Sequence, residues 1–159
     1  MPARSFAPAM PSPTSGNPPQ QWATLLLRLA LGAMYCAHAL FKILVLGWPG
    51  TIKLFSLTGM PEWLTYPAVA AELLGGLLLI LGIGVRWVAL ALLPMLLGAI
   101  AFVHGAHGWI YTSPGGGWEY LAFLAVVSLA LVCLGNGALS LAGLFKAPVK
   151  GQWTATPSP

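Results

Sequence analysis

His38 and Lys42 stand four residues apart in an apolar run, so a helix carries an imidazole and an ammonium on one face. A second apolar run holds Glu72, a third leads to His104, and a fourth opens on Glu119. Carboxylates and imidazoles exchange protons, and a lysine balances the charge that results. A hydrophobic cavity with a few such groups suits a quinone headgroup, whose carbonyls take hydrogen bonds and protons. The expected arrangement places Glu72, His38 and Glu119 around a quinone carbonyl, His104 in the same pocket, and Lys42 against the carboxylate charge. Each group also has a plainer role. Glu72 and Lys42 can be an ion pair that pins two helices, His38 a hydrogen-bonded core residue, and His104 and Glu119 solvated groups at the interface. His107 reads as a wet loop residue.

Other chemistries fare worse. Two histidines on separate helices can ligate a haem, but without a further motif they argue only weakly for one. Zinc and copper lack a third ligand at suitable spacing. No phosphate loop, nucleophile elbow or paired-cysteine motif is present. Cys36 and Cys133 lie in different apolar runs and read as small core residues rather than a disulfide framework.

The elements that carry these groups follow from composition. The chain has 159 residues, 58% hydrophobic and 6% charged, with a mean hydropathy of +0.83. A soluble domain carries about 25% charged residues, so a soluble enzyme, a nucleic-acid binder and a disordered chain are excluded. The pI of about 9.4 reflects few carboxylates rather than a basic patch. What remains is an all-α integral membrane protein, its first partner the lipid bilayer.

Four stretches approach the roughly 20 apolar residues that a span requires: Trp22–Leu46, Trp63–Val85, Arg86–Val103 and Glu119–Leu141. Six of the seven tryptophans flank them, as indole rings at the lipid boundary should. The expected architecture is a four-helix transmembrane bundle over residues 22–142. A proline-rich cytoplasmic tail, residues 1–21, precedes it, and a cytoplasmic tail, residues 143–159, follows. Arg4, Arg86, Lys146 and Lys150 fall on one side of this layout and Lys53 on the other, so both termini should be cytoplasmic. Ala37-His38-Ala39 imitates a signal-peptidase site, but the apolar run continues past it to Leu46.

The connections are also legible. Trp48-Pro49-Gly50 should break the chain after the first span, and Thr51–Leu57 should lie along the interface with Ile52 and Phe55 on lipid and Lys53 toward water. Gly82-Ile83-Gly84 should make a tight turn, and Pro94 should kink the third span. Leu31-Gly32-Ala33 with His38, and Leu97-Gly98-Ala99 with His104, share one interval, and Leu81-Gly82-Ile83-Gly84 parallels Leu134-Gly135-Asn136-Gly137. These echoes point to a two-plus-two repeat. At about 1.5 Å per residue, His38 and Glu72 both lie about 12–13 Å below the outer surface. Arg28, about 9 Å in from the other side, should snorkel or bond Asn136 in a structural role.

The series Arg28…His38…Lys42, then Ala71-Glu72-Leu73-Leu74-Gly75-Gly76 with Leu81-Gly82, resembles the DoxX family. Gly115-Gly116-Gly117-Trp118-Glu119-Tyr120, Leu134-Gly135 and Leu139-Ser140-Leu141 extend the resemblance over about residues 22–142. Ala39 stands where the family often has glycine, and Ala142 where it often has an acid. The resemblance implies a four-helix protein of the bacterial cytoplasmic membrane associated with redox complexes. The expected role is a subunit of a quinone-linked redox assembly, at most part of an oxidoreductase. The alternatives are a non-catalytic scaffold for larger membrane subunits, or a small-solute or proton carrier built as a homo-oligomer.

Overall fold

The computed structural model describes residues 17–144, and the described chain is helical with no strand. Most of both expected tails therefore lies outside the described residues. Helix α1 spans Pro18–Leu40, four residues earlier than the expected boundary, because Pro18 and Pro19 occupy first-turn positions whose N–H groups have no helical partner anyway. A π-helical turn, Phe41–Leu46, follows, and then α2, Gly47–Leu57. The break expected at Trp48-Pro49-Gly50 falls on Gly47, whose φ of +64° and ψ of 172° redirect the chain. A 3₁₀ turn, Glu62–Leu64, leads into α3, Thr65–Leu81.

Helix α4 spans Val85–Ala99 and continues as a π turn, Ile100–His104. Helix α5 covers Glu119–Leu134, and a single turn, α6, covers Leu141–Leu144. Three helical runs, Pro18–Leu57, Glu62–Leu81 and Val85–His107, are long and apolar enough to cross a membrane. The expected fourth span, Glu119–Leu141, ends seven residues early. Gly135 (φ +87°) and Gly137 (φ +66°) leave the helical region, and Arg86 Nη2 donates to the Cys133 carbonyl in the last turn.

Helix α1 packs mainly on α3, and α4 mainly on α5. Gly32 and Gly76 face each other at the first crossing. A Cβ on Gly76 would come 2.7 Å from Cys36 Sγ and 2.8 Å from the Gly32 carbonyl oxygen. Close backbone approach of this kind holds helices together in lipid, where burial of apolar surface gives little between helices. Gly76→Leu should push α1 and α3 apart and cost about 1–3 kcal/mol or more, as overpacking does. Thermal unfolding in lipid nanodiscs reads this, and an unchanged transition would mean that the crossing is loose. The buried apolar contacts among Leu31, Leu79, Leu92, Leu96 and Leu131 join the two pairs, while Leu26, Leu74 and Phe123 stay exposed, the pattern lipid favours.

The two ends of the bundle differ. At one end Gly82 (φ +71°) and Gly84 (φ +58°) join α3 to α4 in a tight turn, and the backbone N–H of Val85 donates to Asn136 Oδ1 at 3.2 Å. Arg28, 1% exposed, donates from Nη2 to the carbonyls of Ala138 (2.8 Å) and Leu139 (2.7 Å). The expected Arg28–Asn136 bond is thus replaced by two others, because the early end of α5 brings open backbone to the arginine. At the other end α2 turns Phe55 inward, 7% exposed, with Lys53 outward. The expectation that Phe55 faces lipid is corrected by this rotation, which follows from the redirection at Gly47. Thr51 Oγ donates across the break, lying 2.9 Å from both the Lys42 and Gly47 carbonyls.

Candidate functional site

The α2 end of the bundle is hollow. A cavity of about 690 Å³ lies between α1, α3, α4 and α5, under α2, and is lined mostly by apolar side chains such as Met34, Phe55, Met95 and Leu124. That size falls in the ordinary range for a small-molecule pocket. Its polar lining comprises Tyr35, His38, Lys42, Thr58, Glu72 and His104. Tyr35, His38 and Lys42 lie on one face of the first helical run at intervals of three and four residues.

Lys42 Nζ and Glu72 Oε1 form an ion pair at 2.5 Å, with side chains 16% and 11% exposed. A charge in such a place needs a partner, since bringing it to the bilayer centre costs about 2.5–3.5 kcal/mol on insertion scales. Only one carboxylate oxygen is used: Glu72 Oε2 is buried with no hydrogen-bond partner. Tyr35 and His38 lie within electrostatic range of Glu72. The Tyr35 hydroxyl makes a long 3.5 Å bond to the Leu92 carbonyl, two residues before Pro94.

Four of the five expected pocket residues, His38, Lys42, Glu72 and His104, line this one cavity. Glu119 does not. It lines a neighbouring groove of about 610 Å³ together with Tyr111, Gly116, Tyr120, His38 and His104. Its Oε1 accepts from the backbone N–H of Tyr111 at 3.1 Å. The reason is local: residues 108–119 fold into a hydrogen-bonded loop, with Gly117 N to Ile110 O, Trp118 N to Gly108 O and Glu119 N to Trp109 O. Trp109 and Trp118 meet edge-on at 4.5 Å. This loop keeps the start of α5 at the rim. The arrangement of Glu119 and Glu72 around one carbonyl is therefore not what the structure contains.

His104 Nδ1 lies 2.8 Å from the Gly116 carbonyl oxygen. A carbonyl only accepts, so Nδ1 carries the hydrogen and the neutral ring keeps its lone pair on Nε2. Arg28 and Asn136 stand at the opposite end, apart from this cavity, in the backbone bonds described above. Among the described residues no three histidine, cysteine or acidic groups gather as a metal site. Tyr35, Thr51 and Tyr111 are not among the polar groups expected at this end of the bundle. For Tyr35 the signal was present, since it precedes His38 by three residues and Lys42 by seven; Thr51 and the Tyr111 N–H act through backbone geometry that spacing does not reveal.

What the arrangement can do is hold a polar headgroup at an ion pair while an apolar remainder fills the cavity. The DoxX family model matches residues 23–105. A protein of Bacillus subtilis (strain 168) named "Putative oxidoreductase CatD" is 34% identical over 108 residues, covering 68% of this chain and 77% of that protein. No solved structure matches the chain. The matched region includes Arg28, His38, Lys42, Glu72 and His104, and with its apolar helical runs it marks a multi-pass membrane protein: the chain belongs to the DoxX family.

Proposed function

We propose that this protein is a four-span subunit of a quinone-linked redox complex in the bacterial cytoplasmic membrane, with both termini cytoplasmic and α2 on the outer side. The Lys42–Glu72 ion pair at the wall of a largely apolar cavity, with Glu72 Oε2 left without a partner, carries this reading. Glu72, a carboxylate while it pairs with Lys42, can take up a proton on its second oxygen and pass it to a reduced quinone oxygen, returning to the carboxylate whose charge the Lys42 ammonium balances. The overall step is quinone plus two electrons plus two protons to quinol. The electrons come from a two-electron reductant bound by a partner subunit.

Access favours a membrane-dissolved ligand over a water-soluble one. Phe41 and Phe102 line the cavity yet are 51% and 62% exposed, so the hollow reaches the lipid-facing surface at both π turns. Ala71, Ala91 and Pro94 also line it and are exposed. A quinone with an isoprenoid tail can leave that tail in lipid. The pairing of α1 with α3 and α4 with α5 fits the two-plus-two repeat, and the relative's name, "Putative oxidoreductase CatD", is in keeping with redox work.

Glu72→Gln tests the proposal, because it keeps the shape and removes the acid. Quinone-coupled turnover of the complex in native membranes should fall by about two orders of magnitude, the usual worth of a positioned acid–base group, with the chain still folded. Turnover at the original rate would remove the proposed role of Glu72.

A further inference from the structure

We propose that His38 carries protons from the groove beside Glu119 to the Glu72 cavity, an inference that rests on the quinone reading above. The two hollows adjoin: His38, His104 and Leu121 line both. Of these, only the histidines can move a proton, and they are not equivalent.

His104 is committed. Its Nδ1–H is given to the Gly116 carbonyl, which takes no proton, so any proton it picks up on Nε2 must leave from Nε2 again. His38 has no hydrogen-bond partner among the described residues, is exposed, and lies within electrostatic range of both Glu72 and Lys42. Its ring can accept a proton at one nitrogen from the groove and release one from the other toward Glu72 Oε2, the buried oxygen with no partner. Glu119, held at the rim by the Tyr111 N–H, supplies the negative charge that gathers protons there.

The step balances. A quinone that takes two electrons takes two protons, each passing from groove water to His38, to Glu72 and to a quinone oxygen. His38 and Glu72 end each passage as they began it. The electrons come from the partner's reductant in the complex, or from an electrode in the test below.

The experiment holds the full chain in a bilayer tethered to gold with decylubiquinone as probe, so that the electrode supplies electrons and the buffer supplies protons. His38→Ala should bind decylubiquinone within about twofold of the original affinity and reduce it at least about tenfold more slowly, a modest share of what proton-transfer groups contribute. Addition of 4-methylimidazole to the buffer should restore most of the rate. His107→Ala should leave the rate unchanged, since that ring lies beside Gly115 and lines neither hollow. His38→Gln, which fills the site without a titratable ring, should be slow in the same way and covers the case in which the alanine variant fails to fold. A His38 variant at the original rate, one slow but not rescued by 4-methylimidazole when alanine is present, or one that loses the probe altogether overturns the relay and leaves the quinone reading standing. An original chain that binds no decylubiquinone overturns the quinone reading, and the relay falls with it.

Discussion

Replacing Arg28 with alanine should loosen the tight-turn end of the bundle and lower stability by about 2–4 kcal/mol, the sum of two charged hydrogen bonds less what the arginine itself forfeits. The gain side is clear: Nη2 serves the carbonyls of Ala138 and Leu139 in a segment that has no helical bonds of its own. Open backbone in lipid persists only where something satisfies it. The loss side is also visible, since Arg28 Nε and Nη1 are buried without partners, which reduces the net worth of the residue. Lysine should not substitute, because a point charge on a flexible stem does not reproduce the fork that spans two adjacent carbonyls. Gly82→Ala should produce the same lesion from the facing side. A Cβ there would overlap Arg28 Nη1, and Gly82 sits at φ +71°, where side chains are strained. Thermal unfolding in nanodiscs, with hydrogen exchange of residues 135–144, checks both. Full protection of that segment in Arg28→Ala would show that the arginine is not its clamp.

How much of this was readable in advance depends on whether a feature is local. The apolar runs, the glycine turn at 82–84 and the shared face of His38 and Lys42 follow from composition and helical period alone, and the structure contains them. The end of α5 is not legible in this way, because apolarity runs on through Ala138-Leu139, whereas the conformation is set by Gly135 and Gly137 and by Arg28, more than a hundred residues away in sequence. The rotation of α2 is hidden for a similar reason: helical period says that Ile52 and Phe55 share a surface, but which way it faces depends on the dihedral angles at Gly47. Depth counting put Glu72 level with His38 and so brought the two acid–base groups into one cavity. It could not separate Glu119 from them, because the separation comes from the hydrogen-bonded loop at 108–119. Distances along a helix axis are legible in sequence; displacements across it are tertiary.

The second large effect concerns the Lys42–Glu72 pair. Glu72→Ala removes the only salt-bridge partner of a mostly buried lysine among the described residues and should cost about 3 kcal/mol, at the low end for breaking a buried pair because Lys42 retains some exposure and can extend toward the headgroups. Lys42→Ala leaves a buried carboxylate with neither oxygen paired, and that group has no long stem with which to escape, so its cost should be as large or larger. The double variant is the informative one. If the pair serves only to pin α1 to α3, removing both charges at once should recover most of the stability, since a desolvated ion pair and an apolar contact are often near equal in worth. Thermal unfolding of the four proteins in nanodiscs yields the coupling, which approaches the summed cost of the two single variants when the double variant recovers most of the stability. Quinone-coupled turnover should not recover with it. A double variant that regains both stability and turnover would mean that the ion pair is a fastening and that the chemistry lies elsewhere. One that regains stability while turnover stays lost separates the two roles, and it does so in a protein whose helices are packed as before.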